Sequence, residues 1–88
     1  MTTATQSPLE WSALWDAMKA APSEWFTTTE SMYWDMLEAV PPVAMSNGAF
    51  LVGEAERHNE QGEAVYACFK KRGEAFTARY MTLREFKA

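Results

Sequence analysis

The chain has 88 residues, of which 48% are hydrophobic and 23% charged, and this balance is typical of one small globular domain. It excludes a disordered tail, a collagen-like fibre and a membrane protein, and the length argues against a two-domain enzyme with a cleft between its domains. The formal net charge is −4, and the single cysteine, Cys68, rules out an intramolecular disulfide.

The N-terminal residues 1–7 are polar, rich in threonine and without lysine or arginine, and we expect them to be flexible. No apolar run approaches the length of a signal sequence or a membrane span. The sequence therefore predicts a cytoplasmic protein without a membrane partner, whose single domain covers residues 8–88.

A first helix is predicted to start at Ser7-Pro8-Leu9-Glu10, where Ser7 can cap, Pro8 suits the first helical position and Glu10 has the capping-box spacing. It should end near Ala21, before Pro22. An apolar stripe follows from the helical spacing of Trp11, Leu14, Trp15 and Met18. In the linker that follows, Trp25 and Phe26 are expected to cover one end of the core.

A second helix is predicted from a cap at Thr28 or Thr29 to Val40, because Pro41-Pro42 cannot continue it. Its inner stripe comprises Met32, Tyr33, Met36, Leu37 and Val40. Its opposite face carries Glu30, Trp34 and Glu38 in one line, with Asp35 beside them. A tryptophan in an acidic row is not needed for a core, so these four residues form the candidate partner-binding site.

After Pro42 the pattern alternates, and it predicts three strands at Ala49 to Glu54, Ala64 to Lys70 and Ala75 to Met81. Ser46-Asn47-Gly48 predicts a turn before the first strand, and a polar connection from Glu56 to Glu63 follows it. Short connections imply an antiparallel meander. The capping-box spacing of Thr82 and Glu85 predicts a short final helix from Leu83.

The fold class is therefore α+β, in the order ααβββα, with two N-terminal helices packed on a three-stranded antiparallel sheet and a short C-terminal helix. One core is expected from Leu14, Met18, Met36, Leu37, Phe50, Val52, Val65, Phe69, Phe76 and Tyr80.

Catalysis is disfavoured by the residues available. The only thiol and imidazole, Cys68 and His58, are better explained by a buried strand position and a hydrated loop, and one cysteine and one histidine cannot complete a zinc site. Paired carboxylates such as Asp35 and Glu38 can do acid–base chemistry, but on an exposed helix they are more often solvated. No phosphate-binding glycine loop or nucleophile motif is present. We expect no catalytic residue, no metal and no cofactor.

Nucleic-acid binding has a weak signal in the bases Lys70-Lys71-Arg72 at a hairpin tip, with Arg79 and Tyr66 nearby. The chain as a whole is acidic, however, and phosphate affinity depends on summed positive charge. The sequence therefore favours no direct contact with nucleic acid, although a binding sheet stays as the third alternative.

The acids are concentrated in the first half of the chain. Residues 1–48 hold six acids and one base, a net charge of −5, whereas residues 49–88 hold six acids and seven bases, a net charge of +1. The electrostatic field of an acidic half favours encounters with basic surfaces. Four tryptophans lie within the first 34 residues, and tryptophan is enriched where interfaces concentrate their energy.

The segments Tyr33 to Pro42, Gly48 to Glu54, His58-Asn59 and Met81 to Phe86 resemble those of small uncharacterised accessory proteins of proteobacterial plasmids and phages. This resemblance covers about residues 32–86, and it implies a class in which anti-CRISPR inhibitors recur. We therefore expect a non-enzymatic inhibitor that binds a basic surface of a host protein or nucleoprotein complex. The alternative is a homodimeric plasmid or phage adaptor protein.

Overall fold

The computed structural model describes residues 9–53 and 57–88, which form three helices and five strands. In chain order these are α1 (Trp11–Ala20), β1 (Phe26–Thr27), α2 (Glu30–Ala39), β2 (Ala44–Ser46), β3 (Ala49–Val52), β4 (Val65–Arg72), β5 (Ala75–Thr82) and α3 (Leu83–Lys87). The α+β class is confirmed. The three-stranded sheet and the order ααβββα are wrong in detail, because two short strands are added.

The sheet has five strands in the order β1-β5-β4-β3-β2, and all neighbours are antiparallel. Its centre is the predicted meander of β3, β4 and β5. The linker after α1 supplies the edge strand β1, in which Phe26 lies opposite Ala78. Edge strand β2 joins β3 through a tight turn at Asn47 and Gly48, which have φ values of 35° and 80°. These positive φ values suit the Asn-Gly pair that two-residue hairpin turns favour.

Several predicted boundaries need correction. Helix α1 begins at Trp11. Glu10 is its N-cap residue, with an extended backbone and no capping hydrogen bond from its side chain, so Glu10 does not occupy the third helical position that the predicted capping box requires. The first strand of the meander ends at Val52. Five predictions lie outside the described residues: the flexibility of residues 1–7, the Ser7 cap, Pro8 at the first helical position, the strand end at Glu54 and the start of the connection at Glu56.

Two other predicted helix ends are confirmed. Thr29 caps α2, since its Oγ1 accepts a hydrogen bond from the backbone N–H of Met32 at 3.1 Å. Helix α3 has the predicted capping box, in which the Thr82 hydroxyl accepts from the N–H of Glu85 and the Glu85 carboxylate accepts from the N–H of Thr82. Such reciprocal bonds satisfy N–H groups that a short helix leaves unpaired.

The main core lies between the sheet and helices α1 and α2. Seven of the ten predicted core residues are buried in it, and the other three, Met36, Leu37 and Val65, are partly buried and pack against it. The buried cluster also contains Met32, Tyr33, Ala67 and Ala78. A smaller cluster on the opposite face joins Leu51, Cys68 and Met81 of the sheet to Leu83 and Phe86 of α3. The helices therefore cover both faces of the sheet, two on one side and the five-residue α3 on the other.

Within residues 9–53 and 57–88, no helix is both long enough and apolar enough to cross a bilayer.

Candidate functional site

The acidic face of α2 consists of Glu30, Trp34, Asp35 and Glu38. All four residues are exposed on α2, and the i, i+4, i+8 spacing places three of them in one row along the helix. Trp34 keeps 42% of its surface exposed, although indole is among the largest apolar groups a protein can bury. The structure thus brings together the residues that the sequence singled out.

The exposed indole of Trp34 is held in place by contacts with Tyr33 and Glu30. Its ring meets the buried ring of Tyr33 edge to face at 5.0 Å, and its Nε1–H donates to Oε2 of Glu30 at 3.4 Å. Tyr33 in turn packs edge to face against Phe50 at 5.0 Å and Phe76 at 5.4 Å. An aromatic side chain fixed in this way loses little conformational freedom when a partner covers it.

Two carboxylates of this face, those of Asp35 and Glu38, have no stabilising partner in the described structure. Within the described parts of the chain, neither Asp35 nor Glu38 forms an ion pair, and the last turn of α2 carries no base. A negative charge near a helix C-terminus opposes the helix dipole, at a cost of about 0.3–1 kcal/mol on a surface. Residues that break a local rule without an internal compensation are candidates for function.

Two exposed apolar side chains, Met45 in β2 and Val43 just before it, lie on the same face of the sheet as α2 and were not predicted from the sequence. Met45 is 65% exposed and lies opposite Phe50, the residue that Tyr33 contacts. Val43, just before β2, is 49% exposed. Strand β2 is an edge of the sheet, so these side chains border backbone groups that no described strand pairs.

A second candidate site is a groove of about 390 Å³ on the opposite face of the sheet, beside α3. The indole of Trp25 borders it, with Nζ of Lys70 at 5.2 Å and Cζ of Arg79 at 5.4 Å from the ring centroid. Trp25 is 39% exposed, so the expectation that it covers an end of the core is wrong. Phe26, its neighbour, does pack against the core. Trp25 immediately precedes β1, and the two neighbouring rings lie on opposite faces of the sheet.

The predicted basic tip divides between the two faces of the sheet. Lys70 lines the groove, and strand alternation places Arg72 on the same side and Lys71 on the other. Arg79 joins Lys70 in the groove. Tyr66, expected near these bases, packs instead against the cluster beneath α3.

Cys68 lies on the floor of the groove and is only 1% exposed. Burial raises the pKa of its thiol to about 11, although the positive charges of Lys70 and Arg79 act in the opposite direction. A thiol with this pKa is protonated at neutral pH and is a poor nucleophile.

His58 is exposed and pairs through its backbone with Ala64. The described residues contain no group of three or more His, Cys, Asp and Glu placed to hold a metal ion.

Comparison of the chain with models of protein families, with curated proteins and with solved structures finds no match. No relative's activity can therefore be carried over to this chain.

Proposed function

We propose that the protein is a non-enzymatic inhibitor that binds a basic surface of a host defence complex through the acidic face of α2. The observation that carries this proposal is Trp34, a large apolar side chain held exposed at 42% between Glu30 and Glu38. Hydration of an indole is unfavourable, so a surface that maintains one is more stable when a partner covers it.

The two kinds of side chain would have different roles in the complex. Glu30, Asp35 and Glu38 would steer the encounter with a basic surface, an effect that mainly raises the association rate and that salt weakens. Trp34 would enter a pocket of the partner and slow dissociation, since tryptophan is enriched among the few residues that dominate binding energy. The absence of competing ion pairs within the described residues leaves Asp35 and Glu38 able to meet basic groups directly.

The proposed target class follows from charge complementarity and from the resemblance to mobile-element proteins. Nucleic-acid channels of defence complexes are basic, because they must hold phosphates. An acidic helix face competes for the same positive charges and blocks the channel sterically. Such inhibition needs no catalytic group.

Affinity capture from nuclease-treated proteobacterial lysates that contain a CRISPR effector tests the proposal, since the treatment removes capture through free nucleic acid. The tagged wild-type chain is compared with Trp34→Ala and Glu38→Lys, and bound proteins are identified by mass spectrometry. Two matched controls use the same chemistry elsewhere: Trp25→Ala on the opposite face of the sheet, and Glu60→Lys in the exposed connection before β4.

The expected result is a nucleic-acid-handling complex that the wild type and both controls retain and that Trp34→Ala and Glu38→Lys lose. Retention of the complex by both α2 variants would show that the acidic face is not the binding site. Recovery of the bait alone would contradict the inhibitor proposal altogether.

Exposed Met45 and Val43 on the edge of the sheet favour a second candidate function, that of a homodimeric adaptor. Two copies of β2 paired antiparallel would extend the sheet across a two-fold axis and cover both side chains. Light scattering after size exclusion tests this. A dimer that Met45→Lys converts to a monomer would support the adaptor, whereas a wild type that stays monomeric over a wide concentration range would contradict it.

A further inference from the structure

The face of the sheet that carries α3 is only half covered. Helix α3 packs over Leu51, Cys68 and Met81 through Leu83 and Phe86. Nearer the hairpin ends, Lys70 lies opposite Thr77 on one side and Ala49 on the other, and these positions remain partly exposed. The groove described above occupies this open half, between the ring of Trp25 and the ring of Phe86.

Positive charge outweighs negative charge in this groove. Lys70 and Arg79 line it, and Arg72 lies two residues beyond Lys70 on the same side of β4. Among the described residues that line the groove, the acidic one is Glu85, and Oε2 of Glu85 lies 3.4 Å from Nη2 of Arg79. The unpaired acids of α2 belong to the helical layer on the other face of the sheet. The overall charge of −4 therefore conceals a locally basic surface.

We propose that this groove binds single-stranded nucleic acid, with one base stacked on Trp25 and the flanking phosphates on Lys70, Arg72 and Arg79. Trp25 keeps 39% of its surface exposed although Lys70 and Arg79 lie over its ring, so a base would stack on the part of the indole that the two cations leave open. An aromatic surface for a base and positive charge for the backbone are the two features that single-strand sites combine. A duplex would not fit this chemistry, because its bases are already stacked on one another. The groove volume of about 390 Å³ lies within the range of small-ligand sites and suits one nucleotide unit rather than a folded partner.

This proposal is independent of the inhibitor proposal, because the two sites lie on opposite faces of the sheet. It departs from the expectation of no direct contact with nucleic acid. The reason is that the net charge of the whole chain does not describe a local surface, and this groove is lined by Lys70 and Arg79 against Glu85.

Fluorescence anisotropy with a labelled single strand of about 12 nucleotides, a length within the range that small sheet modules cover, tests the proposal. At low salt the wild type should bind oligo-dT, and the logarithm of affinity should fall with that of salt with a slope of about −1.4, from the two phosphates that flank the stacked base. Trp25→Ala should weaken binding about tenfold or more, whereas Trp25→Phe, which keeps an aromatic ring, should lose much less. Lys70→Ala should weaken binding and reduce the slope.

Matched controls separate the groove from other surfaces and from misfolding. Trp34→Ala and Lys19→Ala, both on helices of the other face, should bind like the wild type, and circular dichroism checks that each variant is folded. Equal binding of a duplex, or equal binding by Trp25→Ala, would overturn the proposal. If a free mononucleotide competes as strongly as the oligomer, the ligand is not a single strand. If the wild type does not bind oligo-dT at low salt, the groove is not a nucleic-acid site.

Discussion

The hydroxyl of Tyr33 donates a hydrogen bond of 2.9 Å to the carbonyl oxygen of Gly48, and so joins the outer helix α2 to the turn between β2 and β3. The same carbonyl accepts the backbone N–H of Lys71 at 2.8 Å. Since the ring of Tyr33 also supports Trp34 at 5.0 Å, this contact ties the candidate binding residue to the sheet. The position of the acidic face thus depends on the hairpin as well as on the helix.

Removing the Tyr33 hydroxyl tests this link. Tyr33→Phe keeps the ring and leaves the Gly48 carbonyl bonded to Lys71, so we expect a loss of about 0.5–1.5 kcal/mol in the free energy of unfolding. Tyr33→Ala also removes the ring contacts to Phe50 and Phe76 and should cost about 3–5 kcal/mol. Urea titration gives both values. Equal stabilities of Tyr33→Phe and the wild type would show that the hydrogen bond does not stabilise the fold.

The turn glycine Gly48 should tolerate substitution less well than Gly73. Both have positive φ, 80° and 62°, so Ala at either position is strained by about 1 kcal/mol or more. At Gly48 a Cβ would also lie 2.9 Å from the backbone oxygen of Lys71, whereas at Gly73 it would meet open space. Thermal unfolding should therefore show a clearly lower midpoint for Gly48→Ala than for Gly73→Ala. Equal midpoints would contradict the close approach of the two backbones.

The buried thiol of Cys68 predicts a loss of stability in alkaline solution. Its pKa is raised from 9.0 to about 11 in the folded chain, so the protonated thiol stabilises the fold fully below pH 9. Between about pH 9 and 11 only the unfolded thiol ionises, and about 2 to 3 kcal/mol should be lost. Urea titrations of wild type and Cys68→Ala across this range measure the difference. If the free energies of unfolding of wild type and Cys68→Ala change equally with pH over this range, the thiol has the same pKa in the folded and the unfolded chain.

Loss of the side-chain hydroxyl should have opposite effects on the stability of the protein at two neighbouring threonines, Thr28 and Thr29. In the part of the chain that the structure describes, Oγ1 of Thr28 is a buried side-chain oxygen without a hydrogen-bond partner. Thr28→Val should therefore be neutral or stabilise the protein by up to about 1 kcal/mol. Thr29 caps α2, and Thr29→Ala should cost about 1 kcal/mol. A loss of stability in Thr28→Val as large as that in Thr29→Ala would contradict this assignment.

The periodicity of the sequence was sufficient to predict the interior of the fold. Helical spacing identified the inner stripe of each long helix, and alternation identified Phe50, Val52, Phe69, Phe76 and Tyr80 as one face of the meander. Burial on one face dictates these patterns, so they can be read without tertiary information. The edge strands β1 and β2 have two and three residues, too few for a periodic pattern to be distinguished from a loop.

The surfaces were only partly predictable. The acidic face of α2 could be identified because its residues share one helix, whose spacing fixes their relative positions. The groove could not, because it joins Trp25 from a linker with Lys70 and Arg79 from two strands. Only the pairing of β1 with β5 brings this indole beside these cations. The sequence signal that could have indicated it is the position of Trp25 next to Phe26, since alternation in a strand would direct the two rings to opposite faces.

The most direct measurement is the dissociation constant of the captured partner for wild type, Trp34→Ala and Glu38→Lys, with Trp25→Ala and Glu60→Lys as matched controls. If the acidic face of α2 is the binding surface, Trp34→Ala weakens the complex by about 2 kcal/mol or more, a factor of about 30, chiefly through faster dissociation. Glu38→Lys slows association, and added salt reduces its effect. Dissociation constants of Trp34→Ala and Glu38→Lys equal to that of the wild type would contradict the assignment of the binding surface to α2.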